Sequence, residues 1–321
     1  MFELVSACLL LVVGLICIII AADIAVKNSA ILASALGVSN LVIGISLVSI
    51  GTDIPEIFNS IIACSLGHGD IDVGDSVGSD LAQLTLIFGL LPIICGGFKV
   101  GRKEMLIIGG CEILSLILIF TVVEKGYFTR LDAIFMICSF FVYLMVIYNV
   151  TKSDLLEKVD LMELTTKLRS KKYHLTLAGM GFLGVAICSF VIIQSIITLA
   201  SALNVHEYII SFFILGIGTS LPELAVDINA LKKKQYDIAI GDVIGSCIVD
   251  STISIAIGQL LFPQKVTPEL AIPTIIYTIC VSIVVIMVVG VRQKVDKKAG
   301  LLFISLYFGS YLILFILLLQ V

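Results

Sequence analysis

Charge is scarce in this sequence: only 14% of its 321 residues are Asp, Glu, Lys or Arg, tryptophan is absent, and histidine occurs three times. A soluble domain of this length has about a quarter of its residues charged, so a wetted globular surface is excluded. Paired cysteines are missing too. Cys8, Cys17, Cys64, Cys95, Cys111, Cys138, Cys188, Cys247 and Cys280 stand singly, with no CxxC. They read as small hydrophobes inside apolar spans, not as a disulfide or zinc framework. There is no HExxH helix, and the residues before Asp242 are Ala239, Ile240 and Gly241, so the GxGD string of an intramembrane protease is lacking. An enzyme is therefore not expected. His68, His174 and His206 stand alone near span ends and read as interfacial residues, not metal ligands. Residues 1–22 have neither a basic n-region nor a small-residue cleavage site, which makes them a retained first helix.

What is abundant is apolar surface, at 59% of residues. Segments 28–52, 81–98, 133–151, 270–291 and 299–321 contain no charged residue. Each is long enough to cross about 30 Å of hydrocarbon as a helix. Backbone groups in lipid must be satisfied within their own segment, so helices are the expected form. Ten spans are expected, at about 3–22, 38–66, 71–97, 105–123, 130–150, 174–201, 207–231, 237–262, 269–290 and 299–320. This divides the chain into a first half, 1–151, a linker, 152–173, and a second half, 174–321. The linker carries six basic and four acidic residues, with Leu155, Leu156, Val159 and Met162 at helical spacing. A short interfacial helix and a solvated linker fit it equally.

Lysine and arginine separate cleanly between the two sides. Lys125, Arg130 and Lys265 fall on one side and the other seventeen on the opposite side, including the linker, Lys232 to Lys234 and Arg292 to Lys298. The positive-inside rule places both termini outside a plasma membrane and the linker in the cytoplasm.

The chain repeats itself. GTDIPE at 51–56 returns as GTSLPE at 218–223, a shift of 167 residues, and the same shift carries GDSVGS at 74–79 onto GDVIGS at 241–246 and Gln83 onto Asp250. Each copy occupies two consecutive spans. Equivalent positions are five spans apart, an odd number, so the copies cross the membrane in opposite senses. Inverted repeats of this kind place a transport site at the repeat interface near the midplane.

The proline of each GTxxPE string removes a backbone N–H and breaks the helix, freeing carbonyls that can coordinate a cation. Thr52, Asp53 and Glu56 share one helix face, as do Thr219, Ser220 and Glu223 in the other copy. Ionisable residues within spans are costly and point to function. Asp75, Ser79 and Gln83 form a second oxygen-bearing face, repeated as Asp242, Ser246 and Asp250, with Gly74, Gly78, Gly241 and Gly245 allowing close helix contact. Such hard oxygen donors suit calcium and sodium better than soft metals.

At these residues the chain resembles the cation/calcium exchanger superfamily, in particular its prokaryotic sodium/calcium exchangers. Their repeats carry GTSxPE on the second and seventh spans and GNxxGS on the third and eighth. The resemblance implies an all-α integral membrane protein of ten transmembrane helices arranged as two inverted five-helix repeats. It also implies clustered central cation sites and alternating access by movement of the first and sixth helices. By position, Thr52, Glu56, Ser79, Thr219, Ser220, Glu223, Ser246 and Asp250 match coordinating positions, with Glu56 and Glu223 bridging calcium. Asp53, Asp75, Asp80, Gln83 and Asp242 depart from the pattern; of these Asp53, Asp80 and Gln83 join the candidate metal-binding set. Five acids (Asp53, Glu56, Asp80, Glu223 and Asp250) would repel strongly, so some must be protonated, turned away or paired with extra cations.

The implied function is secondary active export of calcium in exchange for sodium. Proton- or potassium-coupled exchange on the same scaffold is the alternative, and a cation channel or an intramembrane protease is the reading from another class. The expected partners are inorganic cations and the lipid bilayer. Neither a cofactor, a nucleic acid nor an obligatory protein partner is expected.

Overall fold

The computed structural model describes residues 2–35, 50–158 and 171–318. The first part of the expected second span and residues 159–170 of the expected linker lie outside these, and with them the choice between interfacial helix and solvated linker.

The chain is built of helices: α1 (Phe2–Ala35), α2 (Ile54–Ser65), α3 (Gly69–Ile94), α4 (Arg102–Val123), α5 (Arg130–Lys158), α6 (Lys171–Leu203), α7 (207–219), α8 (Leu221–Lys232), α9 (236–261), α10 (Pro268–Arg292) and α11 (Lys297–Leu318). Eight candidate spans among the described residues are long and apolar enough to cross a membrane, α7 and α8 counting together as one of them. This is an all-α membrane protein, as its apolar runs require.

Several boundaries differ from the expectation. The first span does not end at residue 22: α1 runs on to Ala35, about 51 Å at 1.5 Å per residue and longer than the hydrocarbon is thick. Lys27 is thus inside a helix, paired with Asp23 at 2.8 Å, and not in a connection. Helix α5 continues to Lys158 and α6 begins at Lys171, so helix enters the expected linker from both ends. His174, in the first turn of α6, is buried; its Nδ1 bonds Asn28 Oδ1 at 2.9 Å and ties α6 to α1.

Pro55 and Pro222 sit in the first turns of α2 and α8, where a missing N–H has no intrahelical partner to lose. The residues just before these helices break the chain with nearly the same dihedrals: Asp53 at φ −84°, ψ 7° and Ser220 at φ −80°, ψ 2°. Helices α3 and α9 each contain a π-helical turn, at Ala82–Ile87 and Asp250–Ser254, whose last residues are 167 apart. The fold thus reproduces the sequence repeat in its irregularities, which are harder to reproduce by chance than helices.

The copies are related by an approximate two-fold axis. A ribbon pairs Phe98 with Val295 and Lys99 with Lys294 (β1, Phe98–Lys99; β2, Lys294–Val295), joining two basic-rich connections. A bridge between Tyr127 and Lys265 joins two connections at the other end. The shift of 167 carries Phe98 onto Lys265 and Tyr127 onto Lys294, so the two pairings are counterparts whose registers differ by one residue. Asp296 caps α11: the Ala299 N–H donates to it at 3.0 Å and Arg292 at 2.7 Å, which holds its carboxyl below the usual range.

The apolar core has two parts. The larger joins α3, α4, α9 and α10, and the smaller is centred on α1 and α6. These two long helices lie antiparallel, and a Cβ at Gly181 would stand 2.6 Å from the Ala25 nitrogen, so glycine permits their contact.

At the basic-poor end, α2 and α9 are locked together. Ser60 Oγ accepts the Gly258 N–H at 3.1 Å, Gln259 donates to Asp72 at 2.7 Å, and Gln264 donates to the Cys64 carbonyl at 2.9 Å. Asp70 accepts both the Thr267 N–H and its hydroxyl at 2.6 Å, and His68 bonds Glu207 at 2.7 Å.

Candidate cation site

The two breaks bring the N-terminal turns of α2 and α8 together in the interior. Glu56 and Glu223 lie in those turns, where the partial positive charge of the helix end favours a carboxylate. Asp53 stands at the break itself. Asp53, Glu56 and Glu223 are all buried, and each offers an oxygen within 4.8 Å of the other two. Asp53 receives no donor, Glu56 is approached only by its own backbone N–H and Glu223 by its own N–H and Thr52, and no salt bridge among the described residues includes any of the three. At an effective dielectric of about 20, each pair of unit charges within this separation repels by at least about 3.5 kcal/mol. Cations or protons must share this cage for it to persist.

Beside the cage lies the two-fold axis. A residue that touches its own repeat mate must sit near that axis, and two pairs do so. Gln83 Nε2 donates to Asp250 Oδ2 at 3.1 Å, and the Cys247 thiol donates to the Asp80 carbonyl at 3.8 Å. The expected site therefore straddles the repeat interface. Cys247 also donates to Gln83 Oε1 at 3.3 Å, which fixes the amide with its nitrogen towards Asp250.

Hydroxyls line the approach. Ser79 Oγ and Thr219 Oγ1 are 3.2 Å apart, while Ser220 donates to the Gly216 carbonyl at 2.7 Å and keeps its lone pairs free. Ser246 Oγ is buried without a partner, and Thr52 is half-buried at the first break. The eleven sequence-derived residues thus fall into tiers. Asp53, Glu56 and Glu223 form the cage, and Gln83 and Asp250 lie on the axis. Asp80 is set towards α4: both its oxygens lack donors, and its charge faces Asp250 and Glu112.

Other buried groups were not in the expected set. Asn59 donates to Asp75 at 3.2 Å and Thr219 donates to it at 3.3 Å, so this acid is held by the scaffold. Glu112 on α4 accepts from Ser282 on α10 at 2.7 Å, and Ser115 meets Ser251 at 2.6 Å. Asp227 on α8 is fully buried against Asp242. The rule that charges inside spans mark function would have found Glu112 and Asp227, since both interrupt apolar stretches. Asn59 carries no such signal.

Against known proteins, the family model described as "Sodium/calcium exchanger protein" matches residues 6–149 and 173–317. The "Inner membrane protein YrbG" of Escherichia coli is 28% identical over 268 residues, 81% of each chain. Among solved structures, the sodium-calcium exchanger NCX_Mj superposes with TM-score 0.60 at 25% identity, over 95% of this chain and 97% of that one. An H+/Ca2+ exchanger, CAX, superposes with TM-score 0.73 at 13% identity, over 95% and 82%, a likeness of fold. With both copies matched and the acid cage between them, the chain belongs to the sodium/calcium exchanger family.

Proposed function

We propose that this protein is a secondary active antiporter that exports calcium across the plasma membrane in exchange for sodium. Calcium binds between Glu56 and Glu223, with further ligands from Thr52, Asp53, Ser79, Asp80, Gln83, Thr219, Ser220, Ser246 and Asp250. The observation that carries this reading is the buried meeting of Asp53, Glu56 and Glu223 within 4.8 Å, three carboxylates with no ion pair among the described residues. Hard oxygens at a helix break suit calcium and sodium. The basic-rich end faces the cytoplasm, and both termini lie outside. Alternating access follows if the α1–α6 pair, with its own small core, moves against the rest.

Asp53 favours a second reading for the counter-ion. It supplies an acid where its repeat mate is Ser220, whose hydroxyl is bonded to Gly216. Each added carboxylate calls for one more positive charge in the cage, so a proton or a potassium ion accompanies or replaces sodium. Calcium flux in proteoliposomes, with sodium, potassium and pH gradients imposed one at a time, separates these couplings. Flux driven by sodium alone, indifferent to pH and potassium, eliminates the second reading. Glu56→Gln and Glu223→Gln each abolish calcium exchange while the protein remains extractable and folded in detergent; retained transport in both variants removes the two glutamates from the site.

A further inference from the structure

Asp227 and Asp242 form a buried acidic pair outside the cage. Asp227 lies four residues beyond Glu223 on α8, and Asp242 lies four residues before Ser246 on α9. One helical turn, about 6 Å, therefore separates each from the central site, towards the end bearing Lys232, Lys233 and Lys234. The carboxyl groups face one another, Asp227 fully buried and Asp242 nearly so. Among the described residues no hydroxyl, amide or cationic group reaches their four oxygens; the two carboxyls bond only each other, and no ion pair includes either.

The other copy shows that this arrangement is not demanded by the fold. There Asp75, the mate of Asp242, receives hydrogen bonds from Asn59 and Thr219. The mate of Asp227 is Ser60, which accepts the Gly258 N–H and closes the packing of α2 on α9. At equivalent positions, then, one copy carries a satisfied acid and a sealing serine, and the other carries two buried carboxyls bonded only to each other. Two unpaired buried charges of the same sign are unstable unless a counter-charge joins them. Two carboxylates match one divalent ion in charge, and their oxygens are the ligands that calcium prefers.

We propose that Asp227 and Asp242 hold a second divalent-cation site, which takes up calcium from the basic-rich face and passes it to Glu223 one turn deeper. The choice of calcium rests on the exchanger reading above; the existence of the site does not. The test is equilibrium binding of radioactive calcium to the purified full chain in detergent, with folding checked by gel filtration.

In the Glu56→Gln/Glu223→Gln double variant, calcium binding persists at about one ion per chain, and adding Asp227→Ser removes it. Serine is chosen because Ser60 fills that position in the other copy, and Asp242→Asn provides an independent second variant. Residual binding that survives both Asp227→Ser and Asp242→Asn overturns the proposal, as does an absence of residual binding in the double variant. If the double variant keeps the full wild-type stoichiometry, it is the central site that fails, and Asp227→Ser still decides this one. In proteoliposomes with the central site intact, Asp227→Ser raises the half-saturating calcium concentration at the basic-rich face roughly tenfold, the effect of about 1.4 kcal/mol of lost binding, while the opposite face is unchanged. An equal shift at both faces places the effect in the central site and overturns the pair as a separate site.

Discussion

Gln83 and Asp250 occupy the same place in the two copies, yet one is an amide and the other an acid. The difference makes a hydrogen bond that two aspartates facing each other across the axis would lack. Gln83 donates to Asp250 at 3.1 Å and is itself held by Cys247. A donor to a buried carboxylate contributes about 1.5–3 kcal/mol. Gln83→Leu removes it and is expected to weaken calcium uptake about tenfold or more, at that magnitude, and to lower thermal stability. Gln83→Asn keeps the amide and loses less. Wild-type uptake by Gln83→Leu in proteoliposomes would contradict the role assigned to the amide. Which residue types gather in the cage was readable from the paired motifs. That Asp75 leans on Asn59, and that Asp227 meets Asp242, was not, because these partners come from different elements and share no motif.

Among the elements, the irregular turns of α3 and α9 carry the site. Gln83 lies inside the π-helical turn of α3 and Asp250 begins that of α9, where one extra residue per turn redirects side chains inward. The Thr85 hydroxyl donates to the Leu81 carbonyl, and its repeat mate Thr252 donates to Ile248, so both turns satisfy freed backbone groups in the same way. Apolar periodicity predicts these spans but is blind to π-turns, which arise where packing across the axis favours them. Close approach of α3 to α7 depends on Gly78, where a Cβ would stand 2.1 Å from the Phe212 carbonyl oxygen. Gly78→Val forces these backbones apart, at a cost of about 1–3 kcal/mol or more for an overpacked core. A lower melting temperature in detergent, together with reduced calcium uptake, is the expected result; an unchanged melting temperature would show that the contact can yield.

For the molecule as a whole, the polar lock at the basic-poor end and the bare acids towards the basic-rich end make the two ends unlike. This difference is superimposed on an inverted repeat that would otherwise make them equivalent. Orientation can be tested directly. In a background freed of native cysteines, an impermeant thiol reagent should label cysteines introduced at 152–158 or 171–172 only from the cytoplasmic side. Labelling from outside would reverse the direction proposed for calcium.

Most span positions followed from hydropathy, and the repeat with the acids of its two GTxxPE strings from a constant register of 167. These are properties of neighbouring residues or of a repeating string, and they survive without knowledge of packing. The pairing of Gln83 with Asp250 across the axis, the lock between α2 and α9, and the contrast between Asp75, held by Asn59 and Thr219, and Asp242, bonded only to Asp227, came from contacts between different elements. Hydropathy and register describe each helix separately. They leave open which donor meets which buried carboxylate, because that depends on how the helices cross.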